Sequence, residues 1–208
     1  MVHPDTCVQP TQKGLGLFAK RKFRRGEILW IADDFDIKIP LEDYLRIEDK
    51  QLKVLNIYSY LDYKNRVIVP WDAGKYVNHS CAPNSTGLLE YDNVSIALRD
   101  IEPGEEIVED YCCYYGHFET FRCLCGAPNC RGVVGNDHSY DPHLRFRLKD
   151  IAGAIFSIEQ YLLGIQSDEN REFMDMLNRL KSGRRNGKSG MNGHAREGSA
   201  KPEQNLTV

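Results

Sequence analysis

The sequence lacks any long hydrophobic run: no window holds the roughly 18 consecutive apolar residues that a membrane-spanning helix needs. Its first residues, Met1–Asp5, also lack the basic stretch and apolar run of a secretory signal. The formal net charge is only −3, and 41% of the residues are hydrophobic. These features predict an intracellular protein, cytoplasmic or nuclear, with one substantial core. Export without a signal, as an effector of a specialised secretion system, stays open.

The cysteines are odd in number, which argues against a framework of disulfide bonds. Without a secretory signal, thiolate metal ligands are the better explanation for clustered cysteines. Three of them form the pattern Cys-x-Cys-x4-Cys, whereas a tetrahedral zinc site needs four ligands. The seven are Cys7, Cys81, Cys112, Cys113, Cys123, Cys125 and Cys130.

Charge is unevenly distributed along the chain. Residues 179–208 hold seven Lys or Arg and two Glu, which leaves about −8 on the rest of the chain. An acidic body would attract a basic protein segment, although a merely solvated surface has the same composition. The Gly-, Ser- and Lys/Arg-rich stretch 182–208 is predicted to be a disordered basic tail, because it has too few apolar residues to pack. Direct binding of nucleic acid is not expected from so short a basic run.

Residues 1–135 read as short strands separated by turns, which favours a mainly β domain. Strands are predicted at Leu17–Ala19, Ile28–Ile31 and Glu106–Asp110, and a short helix after Pro40. Hairpins are predicted from Ile57–Leu61 with Arg66–Val69, and from Leu88–Tyr91 with Val94–Leu98. Residues 141–181 change to an apolar spacing of three and four, which predicts one helix from Asp141 to about Gly164 and a second from Asp168 to Lys181. These helices are predicted to pack on the β domain, or to form a homodimer or partner surface.

Three segments, in this order, resemble the SET family of protein-lysine methyltransferases. They are Tyr76–Asn84, Gly104–Tyr111 and the cysteine trio that begins at Cys123. The resemblance covers about residues 10–133. It implies a SET-domain fold of several small sheets with a pseudoknot at 1–117, a zinc-binding post-SET segment at 118–135, and a C-terminal α-helical extension at 136–181.

The resemblance also implies a cofactor, S-adenosyl-L-methionine, and the residues that bind it. A lone Gly-x-Gly such as Gly14-Leu15-Gly16 is weak evidence, since an ordinary turn into a strand reads the same way. In the SET family this loop and the later Asn-His pair contact the cofactor. The implied cofactor-binding residues are Lys13, Gly14, Leu15, Gly16, Asn78, His79, Tyr111 and Leu124.

Tyr111 is the catalytic residue that the resemblance implies. Methyl transfer needs a neutral lysine amine, and free lysine, with a pKa of about 10.4, is mostly protonated at neutral pH. Desolvation and the neighbouring sulfonium charge would favour the neutral amine. A phenol oxygen could then polarise the methyl group and orient the amine, so that positioning and electrostatics provide most of the acceleration.

The family supplies the fourth zinc ligand from the cysteine after Asn-His-Ser, which here is Cys81. The implied zinc ligands are therefore Cys81, Cys123, Cys125 and Cys130. Two positions depart from the family pattern. Many SET enzymes have Phe or Tyr where this chain has Glu109, and a second position that can carry a tyrosine is Gly87. The number of methyl groups transferred therefore stays open, and Glu109 could engage the substrate ammonium or point away.

The sequence thus predicts a methyltransferase that acts on a lysine-containing protein substrate, a histone or another basic protein, with no membrane partner. A catalytically inactive SET-like module that binds a protein partner is the alternative. A zinc-ribbon-like binder of nucleic acid is a third interpretation, but it leaves the Asn-His and Asp-Tyr segments unexplained. Binding of the cofactor separates the first interpretation from the other two.

Overall fold

The computed structural model describes residues 1–47, 52–87, 94–113 and 120–135, together with Arg171, Asp175, Asn178 and Arg179. The described chain is mainly β, with two short α-helices and two turns of 3-10 helix at Ala73–Tyr76 and Tyr111–Cys113. The elements in chain order are β1 (Thr6–Thr11), β2 (Gly14–Ala19), β3 (Ile28–Ile31), β4 (Ile37–Pro40), α1 (Leu41–Tyr44), α2 (Leu52–Tyr58), β5 (Tyr60–Leu61), β6 (Arg66–Val69), β7 (Asn78–His79), β8 (Ser85–Gly87), β9 (Val94–Ala97), β10 (Glu106–Glu109), β11 (Phe121–Arg122) and β12 (Val133–Val134).

The largest sheet has the order β1-β2-β10-β8-β9-β3, and β7 also pairs with β10. Strand β10 is antiparallel to β2 but parallel to β7 and β8, so a late segment lies between the first hairpin and the middle of the chain. Such pairing between segments distant in sequence ties the domain together. Its main core is fully apolar and contains Leu17, Phe23, Leu29, Ile101 and Ile107, each at most 1% exposed.

Two smaller sheets flank the first. One has the order β4-β6-β5, and its hairpin turn contains Asn65 at φ 56°. The buried Asp62 stabilises this turn, because its carboxylate accepts hydrogen bonds from the backbone N–H of Lys64 and the guanidinium of Arg66. The other small sheet pairs β11 with β12 in the cysteine-rich segment.

The prediction of a mainly β protein built from several small sheets is confirmed, as are strands β2, β3 and β10 and the short helix after Pro40. One detail was wrong: Ile57 and Tyr58 end helix α2, and only Tyr60–Leu61 pairs with β6. Of the second predicted hairpin, the strand Val94–Leu98 is confirmed as β9, which pairs with β8 at Ser85–Gly87. The predicted strand Leu88–Tyr91 lies outside the described residues.

The described part of the chain contains no helix that is long and apolar enough to span a membrane. In the predicted extension the four described residues, Arg171, Asp175, Asn178 and Arg179, are helical and exposed. The first predicted helix of the extension and the basic tail 182–208 lie outside the described residues. The boundaries at 117, 135 and 181 therefore stay predictions.

Candidate functional site

The Asn-His segment and the segment that ends in Tyr111 lie side by side. Strand β7 pairs with β10 in parallel, with Asn78 opposite Val108 and His79 opposite Glu109. The buried Asn84 extends this contact: its side chain accepts from the backbone N–H of Val108 at 2.9 Å and donates to the carbonyl of Glu106 at 2.8 Å. The two segments that carry the sequence motifs are thus bound to each other through their backbones.

The glycine loop reaches the same place through the first hairpin. Gly14 begins β2 with φ at +110°, in the region that favours glycine, so the turn after Thr11 depends on it. Gly16 faces the motif segments. A Cβ atom there would lie 2.8 Å from Oε1 of Glu106 and 3.1 Å from Nδ2 of Asn78, so any larger residue would force these side chains to move.

A cluster of polar side chains surrounds this glycine. The amide of Asn78 donates to the carbonyl of Leu15 at 3.0 Å and to Oε1 of Glu106 at 2.8 Å. The ammonium of Lys13 lies 3.3 Å from Oε2 of Glu106 and 3.5 Å from the carbonyl oxygen of His79. This cluster presents both charges, amide groups and backbone carbonyls, which suits a zwitterionic ligand.

Tyr111 stands two residues after the end of β10 and begins the 3-10 turn Tyr111–Cys113. Its hydroxyl donates to the carbonyl oxygen of Val77 at 2.7 Å, which fixes the phenol beside the start of β7. Burial raises the pKa of Tyr111, and the carboxylates of Glu109 and Glu106 raise it further. The phenol is therefore a hydrogen-bond donor over the whole physiological range of pH.

His79 connects Tyr111 to the cysteines. The backbone N–H of Tyr111 donates to Nδ1 of His79 at 3.2 Å, so the ring hydrogen is assigned to Nε2, which faces Sγ of Cys81 at 3.4 Å. Burial lowers the pKa of His79 to about 4, with Arg131 and Lys13 acting in the same direction against Asp110. The imidazole is therefore neutral near pH 7, and it contacts both the Tyr111 backbone and Cys81.

Four cysteines come together next to His79. The sulfur atoms of Cys81, Cys123, Cys125 and Cys130 all lie within 4.8 Å of one another. Those of Cys81 and Cys123 are 3.8 Å apart, which is close to the edge of about 3.8 Å expected for a tetrahedron with Zn–S bonds of about 2.3 Å. The cluster is therefore compatible with zinc in both ligand type and size.

The thiols differ in their acidity. Burial raises the pKa of Cys81 and of Cys123. Although burial acts to raise it, the pKa of Cys125 is lowered, because hydrogen bonds from the backbone of Cys81 and Ala127 outweigh that effect. Backbone N–H groups also point at two of the sulfurs, from Arg131 to Cys81 and from Gly132 to Cys130, both at 3.4 Å. Such donors stabilise thiolates in metal sites.

An ion pair joins the cysteine segment to the Tyr111 segment. The guanidinium of Arg131 binds both carboxylate oxygens of Asp110, at 2.6 and 2.7 Å. These hydrogen bonds raise the pKa of Arg131, and Asp110 is buried. The geometry is the bidentate arrangement in which arginine and carboxylate interact most strongly.

Glu109 does not point into solvent. Its side chain is only 7% exposed, and its carboxylate accepts a hydrogen bond from the hydroxyl of Ser95 on β9. Gly87 is likewise buried, at the end of β8. Leu124 lies between two of the cysteines, with its side chain 61% exposed.

The structure thus places Lys13, Gly14, Leu15, Gly16 and Asn78 around one polar cluster, and His79 and Tyr111 beside it. The sequence reasoning missed Glu106, Arg131 and the side-chain role of Asn84. The available signal was their position, because all three lie within or directly after the motif segments.

Comparison with known proteins matches residues 14–112 to the SET domain. Among curated relatives, a variant-silencing SET domain-containing protein of Plasmodium falciparum (isolate 3D7) is 33% identical over 140 residues, which is 61% of this chain and 5% of that protein. The histone-lysine N-methyltransferase TRX1 of Oryza sativa subsp. japonica is 32% identical over 132 residues, or 59% of this chain and 13% of that protein.

A solved structure, the methyltransferase domain of human histone-lysine N-methyltransferase SETMAR, aligns with 19% identity and a TM-score of 0.45, over 65% of this chain and 58% of that one. The chain spans only a small part of the length of the two curated relatives. Residues 14–112 are a SET domain, as the motifs of the sequence predict.

Proposed function

We propose that this protein transfers a methyl group from S-adenosyl-L-methionine to the ε-amine of a lysine in a histone or another basic protein. The observation that carries the proposal is the position of Tyr111. Its protonated phenol is fixed on the carbonyl of Val77, at the junction of the polar cluster around Gly16 and the four-cysteine cluster.

Lys13, Gly14, Leu15, Gly16, Asn78 and His79 would hold the cofactor, together with Tyr111 and Leu124. When bound, S-adenosyl-L-methionine supplies an electrophilic methyl group on a sulfonium. The ammonium of Lys13 and the carboxylate of Glu106 match the two charges of an amino-acid group. Because Gly16 has no side chain, a ligand can approach the backbone there without displacing Asn78.

Tyr111 orients the reacting groups and does not act as a base. Its raised pKa keeps the hydroxyl protonated, so its oxygen can accept a weak hydrogen bond from a polarised methyl group while its O–H donates to the Val77 carbonyl. Burial of the acceptor lysine beside this apolar ring would favour the neutral amine that attacks. Water would carry away the proton that the amine loses.

The cysteine segment would close the site from the other side. Cys81, Cys123, Cys125 and Cys130 would bind a structural zinc ion and so attach residues 123–130 to the end of β7. The rings of Phe121 and His79 lie 6.2 and 5.4 Å from that of Tyr111, measured between centroids. These two rings cover part of the Tyr111 ring.

A basic protein is the proposed substrate for two reasons. Several relatives, such as the one from rice, carry the name histone-lysine N-methyltransferase. In addition, the chain outside residues 179–208 has an excess of acidic residues, which would attract a basic segment through long-range electrostatics. We place the protein inside the cell, and we assign no direct role to nucleic acid.

The test is methyl transfer from labelled S-adenosyl-L-methionine to a panel of histones and ribosomal proteins. Tyr111→Phe removes one oxygen and should lower the rate roughly 100-fold or more, as loss of a preorganised polar group does in other enzymes. Tyr63→Phe, at an exposed turn, is the matched control and should keep the rate of the unmodified protein. Cofactor binding without any labelling would favour a protein-binding module, and absence of cofactor binding would refute the proposal.

A further inference from the structure

The ion pair between Arg131 and Asp110 lies outside the cofactor and metal ligands assigned above. We propose that Arg131 is a positioning residue: its guanidinium couples the four-cysteine cluster to the turn that carries Tyr111. The effect of this coupling on catalysis rests on the proposed function. The coupling between the cysteine cluster and the Tyr111 turn is a property of the folded chain and does not depend on that function.

On one side, Arg131 belongs to the cysteine cluster. It follows Cys130 directly, and its backbone N–H donates to Sγ of Cys81 at 3.4 Å. The neighbouring Asn129 also donates through its side chain to the carbonyl of Cys81, at 2.9 Å. When the four sulfurs are held together, the backbone of Arg131 is therefore fixed relative to Cys81.

On the other side, Asp110 belongs to the Tyr111 turn. Its Oδ1 accepts a hydrogen bond from the backbone N–H of Cys112 at 3.1 Å, which stabilises the first turn of the 3-10 helix. The same oxygen accepts from Arg131 at 2.6 Å. Arg131 thus orients the carboxylate of Asp110. That carboxylate in turn stabilises the backbone turn that carries the Tyr111 phenol.

Burial makes the loss of one partner more costly here than in an ordinary surface ion pair. The side chain of Asp110 is 2% exposed and that of Arg131 is 32% exposed. Surface pairs contribute little, but removing one partner from a buried pair leaves a charge that water cannot reach. Arginine is also suited to this role because its planar fork fixes the carboxylate at two points, which the single ammonium of lysine cannot do.

A second contact supports the same coupling. The guanidinium of Arg131 lies 3.3 Å from Sγ of Cys112, the residue after Tyr111, and that thiol donates to the carbonyl of Gly135 at 3.5 Å. Arg131, which lies between β11 and β12, and Gly135, which follows β12, therefore both contact the Tyr111 turn. Loss of Arg131 would leave the turn attached to the cysteine segment through weaker contacts.

The test compares amide hydrogen exchange in the zinc-loaded full-length chain with that in Arg131→Ala, Arg131→Lys and Asp110→Asn. We expect exchange in the peptide that contains Tyr111 to rise about tenfold or more in Arg131→Ala and Asp110→Asn, and less in Arg131→Lys. Arg122→Ala removes an exposed arginine from the same segment and is the matched control, with exchange expected to match the parent protein.

Kinetics then separate positioning from metal binding. With one zinc per chain confirmed by elemental analysis, Arg131→Ala should lower kcat by about 10- to 100-fold and leave the cofactor dissociation constant within about threefold. A role through zinc alone predicts instead that saturating zinc restores kcat. Arg131→Lys should retain an intermediate kcat.

Protection of the Tyr111 peptide that stays within twofold of the parent in zinc-loaded Arg131→Ala would overturn the inference. If that variant does not hold zinc, Asp110→Asn decides in the same way, since it weakens the pair and leaves the cysteine segment unchanged. The exchange measurement needs no turnover. Failure of the proposed methyl transfer is therefore distinguishable from failure of the coupling.

Discussion

The glycine loop and the cysteine segment approach Tyr111 from two sides, and they are built differently. Strands β1 and β2 pair along six residues each and contribute the buried Leu17 and Ala19 to the main core. The cysteine segment has only two strands of two residues, and the side chains of Phe121, Leu124 and Val133 are 45 to 61% exposed. The first region is held by a long sheet ladder, whereas the second has four sulfur atoms within 4.8 Å of one another and little sheet.

This difference shows which interactions stabilise each half of the site. Hydrophobic burial and a sheet ladder stabilise the glycine loop whether or not a ligand is present. The cysteine segment buries almost no apolar surface besides its own sulfurs and Val134, so little opposes the conformational entropy of its chain. We expect metal binding to supply the stabilising free energy that this segment otherwise lacks, as it does in small zinc modules.

Removal of zinc should therefore have the largest effect and should affect only one of the two regions. Stripping the full-length protein with a chelator, or Cys123→Ser, should raise hydrogen exchange in residues 120–135 by roughly 100-fold or more, because zinc contributes about 10–16 kcal/mol of apparent binding free energy in small modules. Exchange in β1 and β2 should change less than about twofold. Methyl transfer should be lost.

Cys7→Ser is the control for this experiment, since Cys7 is a half-buried cysteine in β1 outside the cluster. It should leave zinc content and exchange in both regions unchanged. Equal loss of protection in β1 and in residues 120–135 after chelation would contradict the comparison, because it would mean that the two regions unfold together.

The same comparison explains what could be predicted from the sequence. Strands β2, β3 and β10 begin at or shortly after turn glycines, Gly14, Gly26 and Gly104, so these strands were predictable from the residues themselves. The cysteine segment has almost no such pattern. Three of its sulfurs were suggested by spacing, but Cys81 lies 42 residues before Cys123 and was assigned only through the family resemblance.

The side chains that join the regions were not predictable in this way. Arg131 pairs with Asp110 across 21 residues, and Glu106 meets Asn78 across 28. Such contacts depend on how β10 lies between β2 and β7, and a register of that kind is set by long-range packing that no local pattern reports. The helix that ends at Tyr58 was missed because its aromatic and β-branched residues also favour a strand.

A second test affects only the glycine loop. Gly16→Val should place methyl groups against Glu106, Asn78 and Thr11, because even a Cβ atom would lie 2.7 to 3.1 Å from them. We expect cofactor affinity to fall about 10- to 100-fold and stability to fall by about 1–3 kcal/mol, the usual effect of overpacking. Calorimetric titration and thermal unfolding measure the two effects, and zinc content should be unchanged.

Gly104→Ala is the matched control for Gly16→Val. Gly104 has φ at +83° and open space around its Cα, so alanine should strain the backbone without contacting the site. It should lower stability by about 1 kcal/mol and leave cofactor affinity within about twofold. A similar loss of affinity in both variants would show that Gly16 acts through stability and not through its close approach to Asn78.

The last test concerns Tyr111, where the two regions meet. It predicts that the unmodified protein and Tyr111→Phe have the same dependence of rate on pH. Burial and the nearby carboxylates raise the pKa of this phenol, so it stays protonated as pH increases from 7 to 10. The acceptor lysine, with an ordinary pKa of about 10.4, loses its proton over the same range. The rate at subsaturating substrate should therefore rise by up to about tenfold per pH unit, and ionisation of Tyr111 should not make the rate fall again at high pH.

Tyr111→Phe should be slower at every pH but show the same slope of rate against pH. A slope that disappears in the variant, with its fold intact by circular dichroism, would mean that the phenol ionises and acts as the base, contrary to its donation to Val77.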